Sequence, residues 1–212
     1  MYKLNTLVTI LLVFFFNQFN QTRFKISETK PKYNILFIGN SLTYTNDLPS
    51  LVKNEAKQKG IKVNVEMVAF PNYAIEDHWN EGIVQKLIAS KKYDFVIIQQ
   101  GPSSQDDGRK MLVEYGKKYS TLCELNNAKL CYFMVWPAVN YYQSFENVIQ
   151  NYRDAATMNK SILLPVGEIW KEYIDRTNSF EYFSADAFHP SLEGSKIASK
   201  VIVEYLFPVQ KE

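Results

Sequence analysis

The sequence predicts a three-layer α/β/α sandwich built on a mainly parallel sheet, and three observations favour that fold class. Short apolar runs of strand length alternate with longer segments of helical pattern along most of the chain. The central run Phe95–Ile98 is apolar at every position, which is typical of a parallel strand covered on both faces. No segment repeats another, so the 212 residues are expected to form one domain with a single core.

Five segments are predicted as strands. Most are continuous apolar runs, whereas the second alternates apolar and polar residues as a half-exposed strand does. The first ends at Gly39 and the fourth is stopped by Pro137. The predicted strands are residues 33–38, 61–68, 95–98, 130–136 and 162–164.

Six helices are predicted between and after these strands. The first has a clear start, because Asn46-Asp47 offers a capping side chain and Pro49 suits a first helical turn, and it stops at Gly60. The last begins after Pro190. The predicted helices are, to within about two residues at each end, residues 48–59, 75–90, 108–126, 144–159, 166–176 and 191–205.

The first 22 residues are predicted to be a signal peptide or an N-terminal anchor. Lys3 precedes an apolar run, residues 7–16, which is shorter than the roughly 20 residues that a membrane span needs. No clear small-x-small cleavage site follows, so both alternatives stay open. Residues 23–32 are polar and are predicted to be a linker, which leaves residues 33–212 as the folded domain. The expected localisation is therefore periplasmic, extracellular or membrane-anchored through the N-terminus.

Charge and composition argue against several classes of function. The net charge of +2 gives no basic footprint for nucleic acid. Cys123 and Cys131 form no metal-ligand pattern with either of the two histidines, and two semi-buried thiols are favoured over a disulfide between them. The segment 39–45 lacks the glycines of a dinucleotide or phosphate loop. No metal or organic cofactor is expected, and membrane contact is expected only through the N-terminal segment.

Residues suited to nucleophilic catalysis lie near the two ends of the predicted domain. The first strand leads into Gly39-Asn40-Ser41-Leu42, and Asp186-Ala187-Phe188-His189 precedes the last helix. A serine hydroxyl is a weak nucleophile until an imidazole takes its proton, and a carboxylate holds that imidazole in the useful tautomer. Ligands bind beyond the carboxyl ends of parallel strands, where Ser41 is predicted to lie. The sequence therefore predicts a serine hydrolase.

These two blocks resemble those of the SGNH (GDSL-like) hydrolase superfamily, and the resemblance covers most of residues 33–205. The first block usually reads Gly-Asp-Ser-Leu, and Asn40 takes the place of the aspartate, as in several branches. The last block, Asp-x-x-His, is matched. The resemblance implies a flavodoxin-like five-stranded sheet. It also implies Ser41 as nucleophile, His189 as general base and Asp186 as the group that orients the base.

The two middle blocks depart from the superfamily's pattern, and both bear on the oxyanion hole. In the second block a glycine usually offers a backbone N–H. Asn72 is its implied counterpart, because asparagine tolerates left-handed backbone conformations. The third block, usually Gly-x-Asn-Asp, here begins at Gly101 and lacks the asparagine donor.

The Gln100 side-chain amide is the predicted replacement for that missing donor, beside the backbone N–H groups of Ser41 and Asn72. Gln99 and Ser103 are the alternatives. Alternation along the strand aims Gln99 and Gln100 at opposite faces, so only one of them is expected to serve.

Three further residues are candidates for substrate contact. His78 is either a structural residue at the start of a helix or a contact at the rim. Trp136 and Tyr141 are either ordinary core and surface aromatics or a platform on which a sugar ring stacks.

The sequence as a whole predicts an esterase that cleaves an oxygen ester of a small molecule or a glycan through an acyl-enzyme. An acylated carbohydrate is the first choice of substrate, from the predicted export and the resemblance of Gln-Gly to carbohydrate-esterase branches. Two alternatives stay open. One is an acyltransferase acting on a glycan hydroxyl, and the other is a non-catalytic glycan-binding relative.

Overall fold

A computed structural model describes residues 32–208 and shows a five-stranded sheet in which every neighbouring pair is parallel. The strand order is β2-β1-β3-β4-β5. The predicted fold class, an α/β/α sandwich on a flavodoxin-like five-stranded sheet, is therefore confirmed. The strands are β1 Lys32–Gly39, β2 Lys62–Ala69, β3 Phe95–Ile98, β4 Lys129–Phe133 and β5 Ile162–Leu164.

Eight α-helices connect and follow these strands within the described residues. They are α1 Ser41–Tyr44, α2 Leu48–Gln58, α3 Ile75–Glu81, α4 Ile83–Ser90, α5 Asp106–Leu125, α6 Phe145–Met158, α7 Val166–Thr177 and α8 Leu192–Leu206. Two short 3₁₀ helices precede α2 and α6, at Thr45–Asp47 and Val139–Ser144.

Three details differ from the sequence prediction. The single helix predicted over residues 75–90 is two helices, because Gly82 takes a left-handed conformation with φ of +76° and breaks the run. The fourth strand ends at Phe133 rather than at Trp136. The short helix α1, which begins at Ser41, was not predicted.

The two central strands of the sheet are largely inaccessible to solvent. In β1 and β3 the apolar residues from Ile35 to Ile38 and from Phe95 to Ile98 are all buried. These two strands are neighbours, so the two loops that leave their carboxyl ends start side by side. The segments that begin at Asn40 and at Gln99 therefore share a rigid base.

The N-terminal predictions fall almost entirely outside the described part of the chain. Residues 1–22 and the linker residues before Lys32 are not covered, and Lys32 is already the first residue of β1. Within residues 32–208, no helix combines the length and apolar character that a membrane crossing requires. Cys123 and Cys131 are buried free thiols, and burial raises the pKa of Cys123 to about 12.

Helix α5 approaches the sheet closely at Gly116. A Cβ added there would overlap the Tyr132 hydroxyl. That hydroxyl donates to Leu112 O at 2.9 Å and accepts from Asn159 Nδ2 at 2.8 Å, so it has little freedom to move away. The buried hydrogen bonds thus require the small residue.

We expect Gly116→Ala to lower the free energy of unfolding, measured by urea denaturation. Overpacking costs about 1–3 kcal/mol, which exceeds the gain of at most ~1 kcal/mol from helix propensity. The neighbouring exposed substitution Lys117→Ala is the control and should stay within about 0.5 kcal/mol of the unmodified protein. An unchanged or raised stability for Gly116→Ala would contradict this packing.

Candidate active site

Ser41, His189 and Asp186 lie in hydrogen-bond contact at the carboxyl edge of the sheet. His189 Nε2 is 2.9 Å from Ser41 Oγ, and His189 Nδ1 is 2.6 Å from Asp186 Oδ2. When Nδ1 carries the ring proton and donates a hydrogen bond to the Asp186 carboxylate, Nε2 is unprotonated and can accept the serine proton. The fold thus joins two residues, Ser41 and His189, that are 148 positions apart in the chain.

The two oxygens of the Asp186 carboxylate accept hydrogen bonds from different partners. Oδ1 accepts from the Phe188 and His189 backbone N–H groups, at 3.0 and 2.9 Å, and from the Ser184 hydroxyl at 2.8 Å. Oδ2 is left for the His189 ring. These hydrogen bonds, above all that from the His189 ring, hold the pKa of Asp186 well below its usual range. The carboxylate therefore stays ionised at neutral pH.

The loop that carries His189 is supported by two hydrogen bonds from the segment after β4. Val139 N–H donates to Ala187 O at 2.9 Å, and Trp136 Nε1–H donates to Phe188 O at 3.0 Å. Trp136 is fully buried and stacks on Trp170. The prediction that Trp136 offers a platform to a sugar ring is therefore wrong, because its ring is core and its polar atom holds the catalytic-site loop.

Asn40 caps helix α1, of which Ser41 is the first residue. Its Oδ1 accepts from Leu42 N–H at 3.1 Å, as an aspartate oxygen would. Its Nδ2 donates to Tyr73 O at 2.9 Å, which an aspartate could not do. The asparagine thus caps the nucleophile turn and ties it to the loop after β2.

The peptide group that joins Gly39 to Asn40 is held from both sides. Its carbonyl accepts from His78 Nε2–H at 2.8 Å, and its N–H donates to Gln99 Oε1 at 2.9 Å. Gln99 Oε1 also accepts from the Thr43 hydroxyl at 2.8 Å. A Cβ at Gly39 would overlap the Gln99 and Thr43 side chains, so this close approach requires glycine. We call this arrangement the peptide clamp.

His78 is only 1% exposed, although Phe70 and Tyr73, whose rings lie 5.8 and 5.0 Å from its own, are partly accessible. Burial lowers its pKa, so the ring is neutral with its proton on Nε2. Nδ1 is buried and has no partner among the residues that the structure describes. Of the two alternatives for His78, its burial therefore supports the structural residue and not the substrate contact.

Two backbone N–H groups near the triad have no hydrogen-bond partner among residues 32–208. One belongs to Ser41, at the start of α1. The other belongs to Asn72, which is exposed and adopts φ of +62°, the left-handed conformation expected for a glycine counterpart. The bond from Asn40 to Tyr73 O keeps the loop of Asn72 beside Ser41.

The two glutamines after β3 point in opposite directions, as alternation along the strand predicts. Gln99 belongs to the peptide clamp, and its Nε2 donates to Gln100 O at 2.6 Å. Gln100 Nε2 donates to Ser103 Oγ at 2.7 Å and to Gly108 O at 3.2 Å. The Ser103 hydroxyl in turn donates to Gly101 O.

These bonds engage the amide hydrogens of Gln100 and the hydroxyl of Ser103 within the loop and at the first turn of α5. The geometry therefore does not support the prediction that Gln100, or its alternatives Gln99 and Ser103, donates a side-chain hydrogen bond to an oxyanion. The two free backbone N–H groups remain as the predicted donors.

A cavity of about 950 Å³ opens beside the triad, between the loops that follow β3 and β4. Tyr141 lines it and is 60% exposed, so of the three predicted substrate contacts only this one lies where a ligand has access. No charged side chain lines the cavity. Within residues 32–208, no three His, Cys, Asp or Glu side chains are grouped to hold a metal ion.

Comparison with known proteins supports the fold. No family model and no curated protein matches the sequence. A structure from Slackia heliotrinireducens, assigned as an SGNH hydrolase, matches with a TM-score of 0.70 at 21% identity, covering 83% of this chain and 100% of that one.

Two named enzymes are also similar in structure. The lipase/acylhydrolase from Enterococcus faecalis has a TM-score of 0.67 at 18% identity, covering 84% of this chain and 100% of that one. A variant of an acetyl-xylooligosaccharide esterase from Geobacillus stearothermophilus has a TM-score of 0.63 at 15% identity, covering 85% and 96%. The chain therefore has the fold of the SGNH hydrolases.

Proposed function

We propose that the protein is a serine esterase that hydrolyses a carboxylic ester through an acyl-enzyme on Ser41. The observation that carries the proposal is the unbroken hydrogen-bond chain from the Ser41 hydroxyl through His189 to the ionised Asp186. Esterase and acylhydrolase names among proteins of the same fold support this reaction type.

In the first half-reaction, Ser41 Oγ attacks the ester carbonyl carbon while His189 Nε2 takes the hydroxyl proton. Collapse of the tetrahedral intermediate breaks the bond to the alcohol oxygen, which receives that proton from His189 and leaves. In the second, His189 takes a proton from water, the resulting hydroxide attacks the acyl carbon, and Ser41 regains its proton as the acid departs. Asp186 stays ionised and stabilises the imidazolium in both.

The negative charge on the carbonyl oxygen is proposed to lie between the backbone N–H groups of Ser41 and Asn72. Both donors are fixed to the same turn, Ser41 by helix α1 and Asn72 through the bond from Asn40 to Tyr73 O. Donors already in place need no reorganisation when charge develops, which is why such holes are effective. The Gln100 amide then shapes the hole by holding its loop rather than by donating.

The peptide clamp is proposed to position the nucleophile. The next peptide group along the chain carries the Ser41 N–H, so rotation of the Gly39–Asn40 peptide would redirect both this N–H and the Ser41 side chain. Small misplacements of a reacting group lower rates steeply. Gln99 and His78 are therefore positioning residues that act through the backbone.

An acylated carbohydrate, with the ester outside the cytoplasm, is the proposed substrate. The neutral lining of the cavity and the accessible Tyr141 ring fit an uncharged ligand. Hydrolysis of short aryl esters, measured with and without a sugar acceptor, separates the three candidate functions. Acceptor-dependent transfer would instead indicate an acyltransferase, and complete inactivity of folded protein would indicate a glycan-binding relative.

We expect Ser41→Ala to reduce the rate of aryl ester hydrolysis by at least about 10⁴-fold, because the bond-forming oxygen is removed. His189→Ala and Asp186→Asn should be similarly severe. Thermal unfolding checks that each variant is folded, and Ser90→Ala, at the exposed end of α4, is the control that should keep full activity. Near-normal hydrolysis by Ser41→Ala would rule out the mechanism.

The pH profile is expected to show one ionisation. The lowered pKa of Asp186 keeps that carboxylate charged throughout, so the imidazole alone must lose a proton for activity. The logarithm of kcat/KM should rise with unit slope as the pH increases and then level off once the base is neutral. A steady fall between about pH 6 and 8 would point to a different base.

The two glutamines provide a matched pair, because each substitution to methionine removes one buried amide. Gln99→Met removes the acceptor of the peptide clamp and should lower kcat by about 10–100-fold, with KM nearly unchanged. Gln100→Met removes only the bonds to Ser103 Oγ and to Gly108 O in the first turn of α5, and should lower kcat by less than about tenfold. A 10²–10³-fold loss of kcat in Gln100→Met would indicate that the Gln100 side chain is the oxyanion donor after all.

A further inference from the structure

The cavity beside the triad is large for the smallest acyl groups. Its volume of about 950 Å³ is at the upper end of the range that holds drug-sized ligands, roughly 300–1,000 Å³. A two-carbon acetyl group would leave nearly all of it empty, so its size indicates a longer substituent.

Several of the polar groups in the wall already have partners among the described residues. Gln100 Nε2 donates to Ser103 Oγ and Gly108 O, and the Ser103 hydroxyl donates to Gly101 O. The Ser144 hydroxyl donates to Tyr141 O. The Oε1 atom of Gln100 has no partner within residues 32–208, and the cavity is also lined by Ser104, Gln105, Gln143 and Asn147. Most of the accessible surface of the wall is nevertheless apolar, and no charged side chain of the described residues lines it. Its apolar side chains are those of Ala74, Pro102, Met111, Pro137, Ala138 and Phe188.

The wall connects with both halves of the triad. Phe188 precedes His189, and the two rings lie 5.2 Å apart. Ala74 follows Tyr73, whose carbonyl is bonded to Asn40, the neighbour of Ser41. No triad residue itself lines the cavity, so an ester at Ser41 would reach it by extending one of its two substituents past Phe188 and Ala74.

The acyl side of the ester is the substituent that fits there. The alcohol must leave beside His189 Nε2, which protonates it, and the side chains of His189 and Asp186 are 33% and 51% exposed. That open side suits a hydrophilic alcohol such as a sugar. The acyl group extends from the carbonyl carbon past the oxyanion donors, and Ala74 lies two residues beyond Asn72.

We propose that this cavity is an acyl-chain site, and that the preferred ester carries a medium-length hydrocarbon acyl chain rather than acetyl. The inference rests on the proposed esterase function and narrows its substrate class. Each methylene that enters the cavity should raise kcat/KM by about three- to fourfold, the value expected for removing one CH₂ from water.

The test compares p-nitrophenyl esters from acetyl to dodecanoyl, each below its micelle concentration, so that the leaving group is constant. Octanoyl has six more methylenes than acetyl, so kcat/KM should rise about tenfold if only two of them enter the cavity and on the order of 10³-fold if all six do. The readout for variants is the octanoyl-to-acetyl ratio of kcat/KM, which is insensitive to partial loss of folded protein. A preference for acetyl that declines with chain length would overturn the inference.

Two wall substitutions and one matched control locate the effect. Ala138→Phe fills the cavity and should lower the ratio at least about tenfold, and Met111→Gln should lower it by a smaller factor. Met158→Gln makes the same chemical change on an exposed residue at the end of α6 and should leave the ratio unchanged. A ratio that is unaffected by Ala138→Phe would place the chain elsewhere.

Binding measured without turnover separates this inference from the proposed function. Octanamide, titrated calorimetrically into Ser41→Ala, should bind, and the additional change Ala138→Phe should abolish that binding. Octanamide binding with no ester hydrolysis in the unmodified protein would reject the esterase and support the apolar site. Ester hydrolysis that favours acetyl, with no octanamide binding, would reject the acyl-chain site alone.

Discussion

The geometry of the site depends on one peptide group, the one between Gly39 and Asn40. It lies at the end of a central strand, and both of its polar atoms are fixed by buried side chains, His78 and Gln99. A buried peptide must have partners for its carbonyl and its N–H. Here those partners include side chains from two other segments, and the Phe70 N–H also donates to Gly39 O at 3.2 Å. The requirement for satisfied hydrogen bonds therefore also sets the direction in which the chain enters Ser41.

This arrangement links two positions at which the sequence differs from the SGNH blocks that it resembles, Asn40 and Asn72. An asparagine at position 40 donates to the loop after β2, which an aspartate could not, and that loop carries the left-handed Asn72. Gln99 supplies a neutral acceptor for the clamp, where a carboxylate would be buried at high cost. Asn40, Gln99 and the loop that carries Asn72 thus form one hydrogen-bonded unit around the nucleophile turn.

The sequence was sufficient for the fold class and for bringing Ser41 and His189 to one edge, because both follow from the strand–helix alternation and from where parallel strands end. It was not sufficient for the roles of buried polar side chains. His78 and Trp136 look like candidate ligand contacts in the sequence, yet each donates its ring N–H to a backbone carbonyl in the interior. Which carbonyl lies opposite a side chain depends on packing between distant segments, and periodicity carries no record of it. The break at Gly82 was missed because an isolated glycine within a helical pattern is often tolerated.

The nucleophile and the base of the triad are held in place by different kinds of interaction. The nucleophile directly follows the buried centre of the sheet, where the peptide clamp is shielded from water and its hydrogen bonds are strong. The base is on a partly exposed loop, yet three bonds to Asp186 Oδ1 and one bond from the buried Trp136 fix that loop from within. Access for the alcohol and water is needed only on the side of the base, because that is where protons are exchanged. The buried peptide clamp therefore keeps the attacking Ser41 oxygen in place, while the exposed side of the base lets the leaving group and the incoming water reach His189.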